Sequence, residues 1–149
     1  MNFTLEINDL KGCNFDEKKL KLTVEKTIDK IGKRDFNKKN FLLSLGFVSE
    51  EEMRKINKKY RGKDYPTDVL SFANFDSLKE IDDSNERNIF LGEILICVDD
   101  IKKYCQEKEI SFEYEFFKVL SHGFLHLSGL RHGKKMFKIQ EEVAAEMDF

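Results

Sequence analysis

The chain has 149 residues, of which 36% are charged and 40% hydrophobic, with 26 Lys and Arg against 28 Asp and Glu for a formal net charge of −2. That length is enough for one sizeable core and too short for two full domains, so a single domain over residues 1–149 is expected. A net-acidic chain has no global pull on phosphate, which leaves only local nucleic-acid binding, and no apolar stretch approaches the roughly 20 residues of a membrane-spanning helix.

From the N-terminus, Phe3, Leu5 and Ile7 alternate with polar residues and predict a strand with one buried face. The same stretch lacks the basic and apolar regions of a signal peptide. Asn14 with Glu17 predicts a capped helix, which Leu20, Val24, Ile28 and Ile31 continue at helical spacing as far as Gly32. Lys33 to Asn40 reads as a connection and Phe41 to Val48 as a short buried strand. Ser49 and Glu52 form a second capping box, opening a helix through about Asn57. Gly62 and Pro66 place a loop over Lys58 to Thr67, after which Asp68 to Phe75 returns to a strand. Asp76 to Asn88 is polar, acidic and aperiodic, and is expected to be a mobile surface loop.

Ile89 to Val98 holds a nearly unbroken apolar run, the pattern of a strand covered on both faces. Asp99 is placed to cap a helix through about Glu109. Ser111 is placed to cap a long helix on which Phe116, Phe117, Leu120 and Phe124 fall at core spacing. Lys134 to about Met147 forms the last helix, with Met136, Ile139, Val143 and Met147 on one face. The fold class is therefore α/β (α+β mixed), a layered domain with about four strands in a mixed sheet and about five helices. Cys13, Cys97 and Cys105 are odd in number and form no C-x-x-C pair, which fits free structural thiols in a reducing cytoplasm.

All three histidines fall between Ser121 and His132. His122 and His126, four apart on a helix, can aim both imidazoles at one small volume, and Gly129 can end the helix in a left-handed turn that brings His132 toward the same point. Three histidines at this spacing predict a metal site with a fourth position open, the arrangement of catalytic zinc, although nickel, copper or iron also suits such a set. The spacing matches the metzincin zinc signature except that Gly123 stands where those peptidases carry their general-base glutamate. The helix should lie on the sheet with its histidine end at the surface. A second local feature runs from Arg54 to Lys63, six basic residues in ten, which composition alone reads as a solvated helix face.

Two segments together resemble the YbeY family of bacterial endoribonucleases and ribosomal RNA maturation factors. The family signature H-G-x-L-H-L-x-G-Y-D-H is matched from His122 to His132. The segment N-x-x-Y-R-x-x-D-x-P-T-D-V-L-S-F is matched from Asn57 to Phe72, and L-G-D-I is echoed by Leu91-Gly92-Glu93-Ile94. Leu130-Arg131 replaces the family's Tyr-Asp, a base for an acid beside a ligand. The resemblance implies a metal-dependent, single-strand-specific endoribonuclease of the cytoplasm, acting in 16S ribosomal RNA 3′ end maturation and late small-subunit quality control. It implies one zinc ion, or another divalent transition metal, on His122, His126 and His132, with Arg61 and His122 catalytic. A guanidinium at Arg61 suits that role because it can clamp a phosphate bidentately, the competing reading being an ion pair with Asp64 or Asp68. The implied partners are ribosomal RNA and the small ribosomal subunit, then a ribosomal protein and an assembly GTPase, with no membrane. Two other readings stay open at this point: a metallopeptidase or other zinc hydrolase, against which the missing glutamate argues, and a non-catalytic ribosome-assembly factor with a structural metal.

Overall fold

In the computed structural model, which describes residues 2–10, 16–32, 39–130 and 133–147, the alternation at the N-terminus becomes strand β1 (Asn2–Leu10), with Phe3 and Leu5 buried. Helix α1 (Glu17–Ile31) returns the chain so that β2 (Asn40–Phe47) pairs parallel to β1, because a parallel neighbour needs a crossover and not a tight turn. Helix α2 (Glu50–Arg61), strand β3 (Val69–Ala73), helix α3 (Leu78–Asp83) and strand β4 (Asn88–Ile96) follow. Helices α4 (Val98–Lys108), α5 (Phe112–Leu127) and α6 (Lys134–Met147) complete the order. The sheet runs β1-β2-β4-β3, with β4 parallel to β2 and antiparallel to β3, which is the expected four-stranded mixed sheet.

The main core joins the sheet to α1, α5 and α6, and the aromatics Phe116, Phe117 and Phe124 are buried within it as their spacing predicts. A smaller cluster of Met53, Leu70 and Cys97, joined by Ile56 and Leu95, packs α2 against β3 and β4. Successive residues of a strand point to opposite faces, so Ile94 and Ile96 enter the first cluster while Leu95 enters the second. The apolar run thus becomes a strand covered on both sides. A buried hydrogen bond between the Thr27 and Ser121 hydroxyls, 2.8 Å long, ties α1 to α5 one residue before the histidines begin.

Four expectations are corrected. The segment from Asp76 to Asn88 is not all loop: Ser77 caps α3, accepting the Glu80 N–H at 3.1 Å, and Ile81 is fully buried. With α3 there are six helices among the described residues, and its length of 6 residues, less than two turns, explains why no periodicity announced it. Helix α2 continues past Asn57 to Arg61, since nothing breaks it before Gly62 and its basic last turn suits the carbonyl end of the helix dipole. Helix α1 is capped by Asp16, whose carboxylate accepts the Lys19 N–H at 2.8 Å, while Asn14 lies outside the described residues. Cys97, not Asp99, is the N-cap of α4. The Ser49–Glu52 capping box is present in both directions.

Candidate active site

His122 and His126 leave the last turns of α5 on one face, with Nε2 atoms 2.9 Å apart and ring planes at 84°. From α6, the nearly buried Gln140 sets its Oε1 2.6 Å from His122 Nδ1. An amide oxygen accepts, so this contact holds the His122 proton on Nδ1 and turns the Nε2 lone pair toward His126. The helix then ends as its sequence predicts. Gly129 takes φ 80°, its N–H donates to the His126 carbonyl at 3.1 Å, and the Leu130 N–H donates to the Leu125 carbonyl at 3.2 Å. These two bonds make a Schellman closure. Arg131 and His132 lie outside the described residues, so the third expected ligand and the base beside it do as well.

The position after His122 has its own reason to be glycine. A Cβ at Gly123 would sit 3.0 Å from Val69 Cγ2, 3.1 Å from Ile94 Cγ2 and 3.3 Å from Ser71 Oγ, so this face of α5 lies directly on β3 and β4. A glutamate there, as metzincins carry, would press its Cβ on these three neighbours. Ser71 Oγ also donates to the Gly123 carbonyl at 2.8 Å, and the Ser71 carbonyl accepts from Arg61 Nη2 at 3.1 Å. One strand residue therefore locks both the histidine helix and the arginine at the end of α2. Further along the sheet, Gly92 has φ 134°, and a Cβ there would lie 2.1 Å from the Phe72 carbonyl oxygen. The β2–β4 register shifts at this point, a bulge that lets β3 approach β4 closely.

Arg61 makes no ion pair among the described residues. Asp64, one of its two expected partners, is held by Arg54 at 2.8 Å and by Lys58 at 3.8 Å, and Lys55 pairs with Glu51. The basic run thus divides: part of it is the solvated helix face that composition suggested, while Arg61 and Lys63 line a cleft of about 1080 Å³ shared with His122 and His126. Asp68, Glu115 and Lys118 line the same cleft. Burial pushes the Asp68 carboxyl above the ordinary carboxylate range, and the facing His122 together with the Thr67 hydroxyl draws it partly back. Glu115 is likewise raised by burial, with Lys118 opposing and Asp68 adding to the rise.

The donor set fits a divalent metal. Two bonds of about 2.0–2.1 Å at a tetrahedral angle separate ligand nitrogens by about 3.3 Å, a few tenths more than the spacing in place. Among the described residues no group of three or more His, Cys, Asp and Glu side chains forms a complete site. Sequence reading located His122, His126 and Arg61, all of which the fold brings to one cleft. It assigned nothing to Gln140, Ser71, Glu115 or Lys118. Gln140 reads as an ordinary polar position on an amphipathic helix, and only the packing of α6 on α5 gives it a partner.

The model of the family described as endoribonuclease YbeY matches residues 6–148. Endoribonuclease YbeY of Lactobacillus gasseri is 43% identical over 125 residues, covering 76% of this chain and 71% of that one. The Lactobacillus acidophilus protein of the same name is 37% identical over 147 residues, with 91% and 84% covered. That of Treponema denticola is 35% identical over 115 residues, with 74% and 73% covered. The solution structure of a Thermotoga maritima protein aligns with a TM-score of 0.60 at 27% identity, covering 97% of this chain and 89% of that one. With the family model matching nearly the whole chain and relatives of 35–43% identity over most of it, the chain belongs to the YbeY family.

Proposed function

We propose that this protein is a metal-dependent endoribonuclease that cuts unpaired RNA in the maturation of the 16S ribosomal RNA 3′ end and in late small-subunit quality control. The observation that carries the reading is the meeting of the His122 and His126 Nε2 atoms, 2.9 Å apart, in a cleft that also receives Arg61 and Lys63. His122, His126 and His132 would hold the metal, zinc by the chemistry of an all-imidazole set. A bound divalent metal supplies Lewis acidity at a phosphodiester oxygen and makes water more acidic.

The chain's own residues do the rest. Arg61, fixed by its bond to the Ser71 carbonyl, offers its remaining guanidinium N–H groups to a phosphate and offsets charge that develops at phosphorus. Gln140 keeps the His122 Nε2 available by holding the proton on Nδ1. Lys63 contacts neighbouring phosphates and positions RNA without reading its sequence. The domain is taken to span residues 1–149, to work in the cytoplasm and to meet the small ribosomal subunit, with a ribosomal protein and an assembly GTPase as further partners. No helix among the described residues is long and apolar enough to cross a membrane.

Peptide hydrolysis finds no support, since the Gly123 face is filled by Val69 and Ile94. The test uses metal analysis and RNA cleavage together. Purified protein should carry about one equivalent of metal, lost in His126→Ala, and should cut single-stranded RNA. Arg61→Ala and His122→Ala should lose cleavage while keeping the parent's folded circular-dichroism spectrum, with His122→Ala melting lower because it leaves the Gln140 Oε1 unpaired. If both variants cut RNA as well as the parent, the activity is a contaminant and a non-catalytic assembly factor is the better reading.

A further inference from the structure

Two tyrosines in the cleft are unexplained by the metal and the phosphate. Tyr60 and Tyr65 line it together with Arg61, Lys63, His122 and His126, yet they remain 57% and 53% exposed. Neither is loosely held. The Tyr60 ring stands edge-to-face with Phe72 at 5.3 Å, and Lys59 Nζ lies 5.2 Å from its centroid. Tyr65 sits on a stapled loop. Gly62 closes α2 in a left-handed conformation, and the buried Asn57 donates from Nδ2 to the Tyr65 carbonyl at 2.8 Å. Arg54 and Lys58 clamp Asp64 next to it. The Tyr65 side chain itself has no hydrogen bond, ion pair or ring contact among the described residues. The fold fixes the backbone and leaves the ring facing open space.

We infer that Tyr65, with Tyr60 beside it, forms a stacking platform for an unpaired nucleobase next to the phosphate held by Arg61. The occupant follows from charge and order. Between Lys59 and Tyr65 three basic residues, Lys59, Arg61 and Lys63, are interleaved with two aromatic ones, Tyr60 and Tyr65, which is the composition that holds a phosphate chain while bases lie on rings. A base inside a duplex has both faces covered by its neighbours, so only an unpaired base can reach an aromatic ring. The platform therefore gives the site a preference for single strands that the metal and arginine, which see only phosphate, do not supply. This rests on the nuclease reading above and deepens it.

The test measures binding of the metal-loaded protein to a short single-stranded RNA carrying 2-aminopurine, and to the matching hairpin duplex. Stacking should quench the 2-aminopurine. Tyr65→Ala should weaken single-strand binding about tenfold, relieve the quenching and leave duplex binding within about twofold. Tyr65→Phe, which keeps the ring, should restore both. Arg61→Ala should weaken both RNAs alike and lower the salt slope by about one. If Tyr65→Ala binds the single strand as the parent does, or loses both RNAs equally, the platform is refuted while the nuclease reading stands. If the parent binds neither RNA, both fall.

Discussion

Replacing Gln140 by Leu probes the histidine pair without touching either histidine. The substitution keeps the bulk of the side chain but removes the oxygen 2.6 Å from His122 Nδ1, at a position on α6 only 5% exposed. The Nδ1–H then loses its acceptor in a poorly hydrated place, a loss of about 1–3 kcal/mol. Part of that is recovered when the imidazole shifts its proton to Nε2, the atom that faces His126. The proton must leave again before that nitrogen can ligate. Zinc affinity is therefore expected to fall roughly 10–100-fold, which corresponds to about 1.4–2.7 kcal/mol. Gln140→Glu, which keeps an acceptor and adds charge, should bind zinc at least as tightly as the parent. The assay is competition against a chromophoric chelator, with long-range nitrogen NMR of His122 reading its tautomer directly. A Gln140→Leu protein binding zinc within about twofold of the parent would refute the reasoning, as would a parent His122 protonated on Nε2.

Three further outcomes test the frame around the site. Gly92→Ala should lower stability by about 3 kcal/mol, from positive φ and a Cβ placed 2.1 Å from the Phe72 carbonyl oxygen. A thermal melt should show a drop of roughly 6–12 °C. Gly123→Ala sets a helix-propensity gain of about 1 kcal/mol against overpacking of about 1–3 kcal/mol on Val69 and Ile94. A net loss near 1 kcal/mol is expected, and a raised melting temperature would mean that α5 does not sit on the sheet this closely. For Glu115, burial raises the folded-state pKa above the unfolded value, so the folded state binds the proton more tightly. Stability should fall as pH rises from the unfolded carboxylate pKa through the raised one, and stay lower above it. Glu115→Gln should remove that fall, giving a variant more stable than the parent at neutral pH and equal to it in acid. A constant difference at every pH would contradict the burial assignment.

Local chemistry carries a long way in this chain. Period-two alternation set β1, helical spacing set α1 and α5, and the Ser49–Glu52 box set the start of α2, because each depends on residues within one or two turns of each other. His122 and His126 were legible for the same reason: four residues on a helix is a local distance, and Gly129 closes that helix within the same motif. The elements that escaped are those whose reason lies across space. Helix α3 is too short for a periodic signal and places Ile81 in the common core. The extent of α2 depends on where Gly62 stops it and on what Tyr65 and Ser71 accept from it.

From the histidine stretch alone came the expectation of three metal ligands, His122, His126 and His132, and a glycine where the peptidases carry their base. Only the tertiary structure decided what Gly123 packs against and what orients His122. Gly123 is the contact point of a helix on two strands, and Gln140 reaches His122 from a helix 18 residues away in sequence. Ser71 joins residues 10 and 52 positions distant into one unit. Spacing along a chain encodes the face of one element; the meeting of faces is settled by packing, which buries the apolar side of each element and leaves the polar ends to find one another.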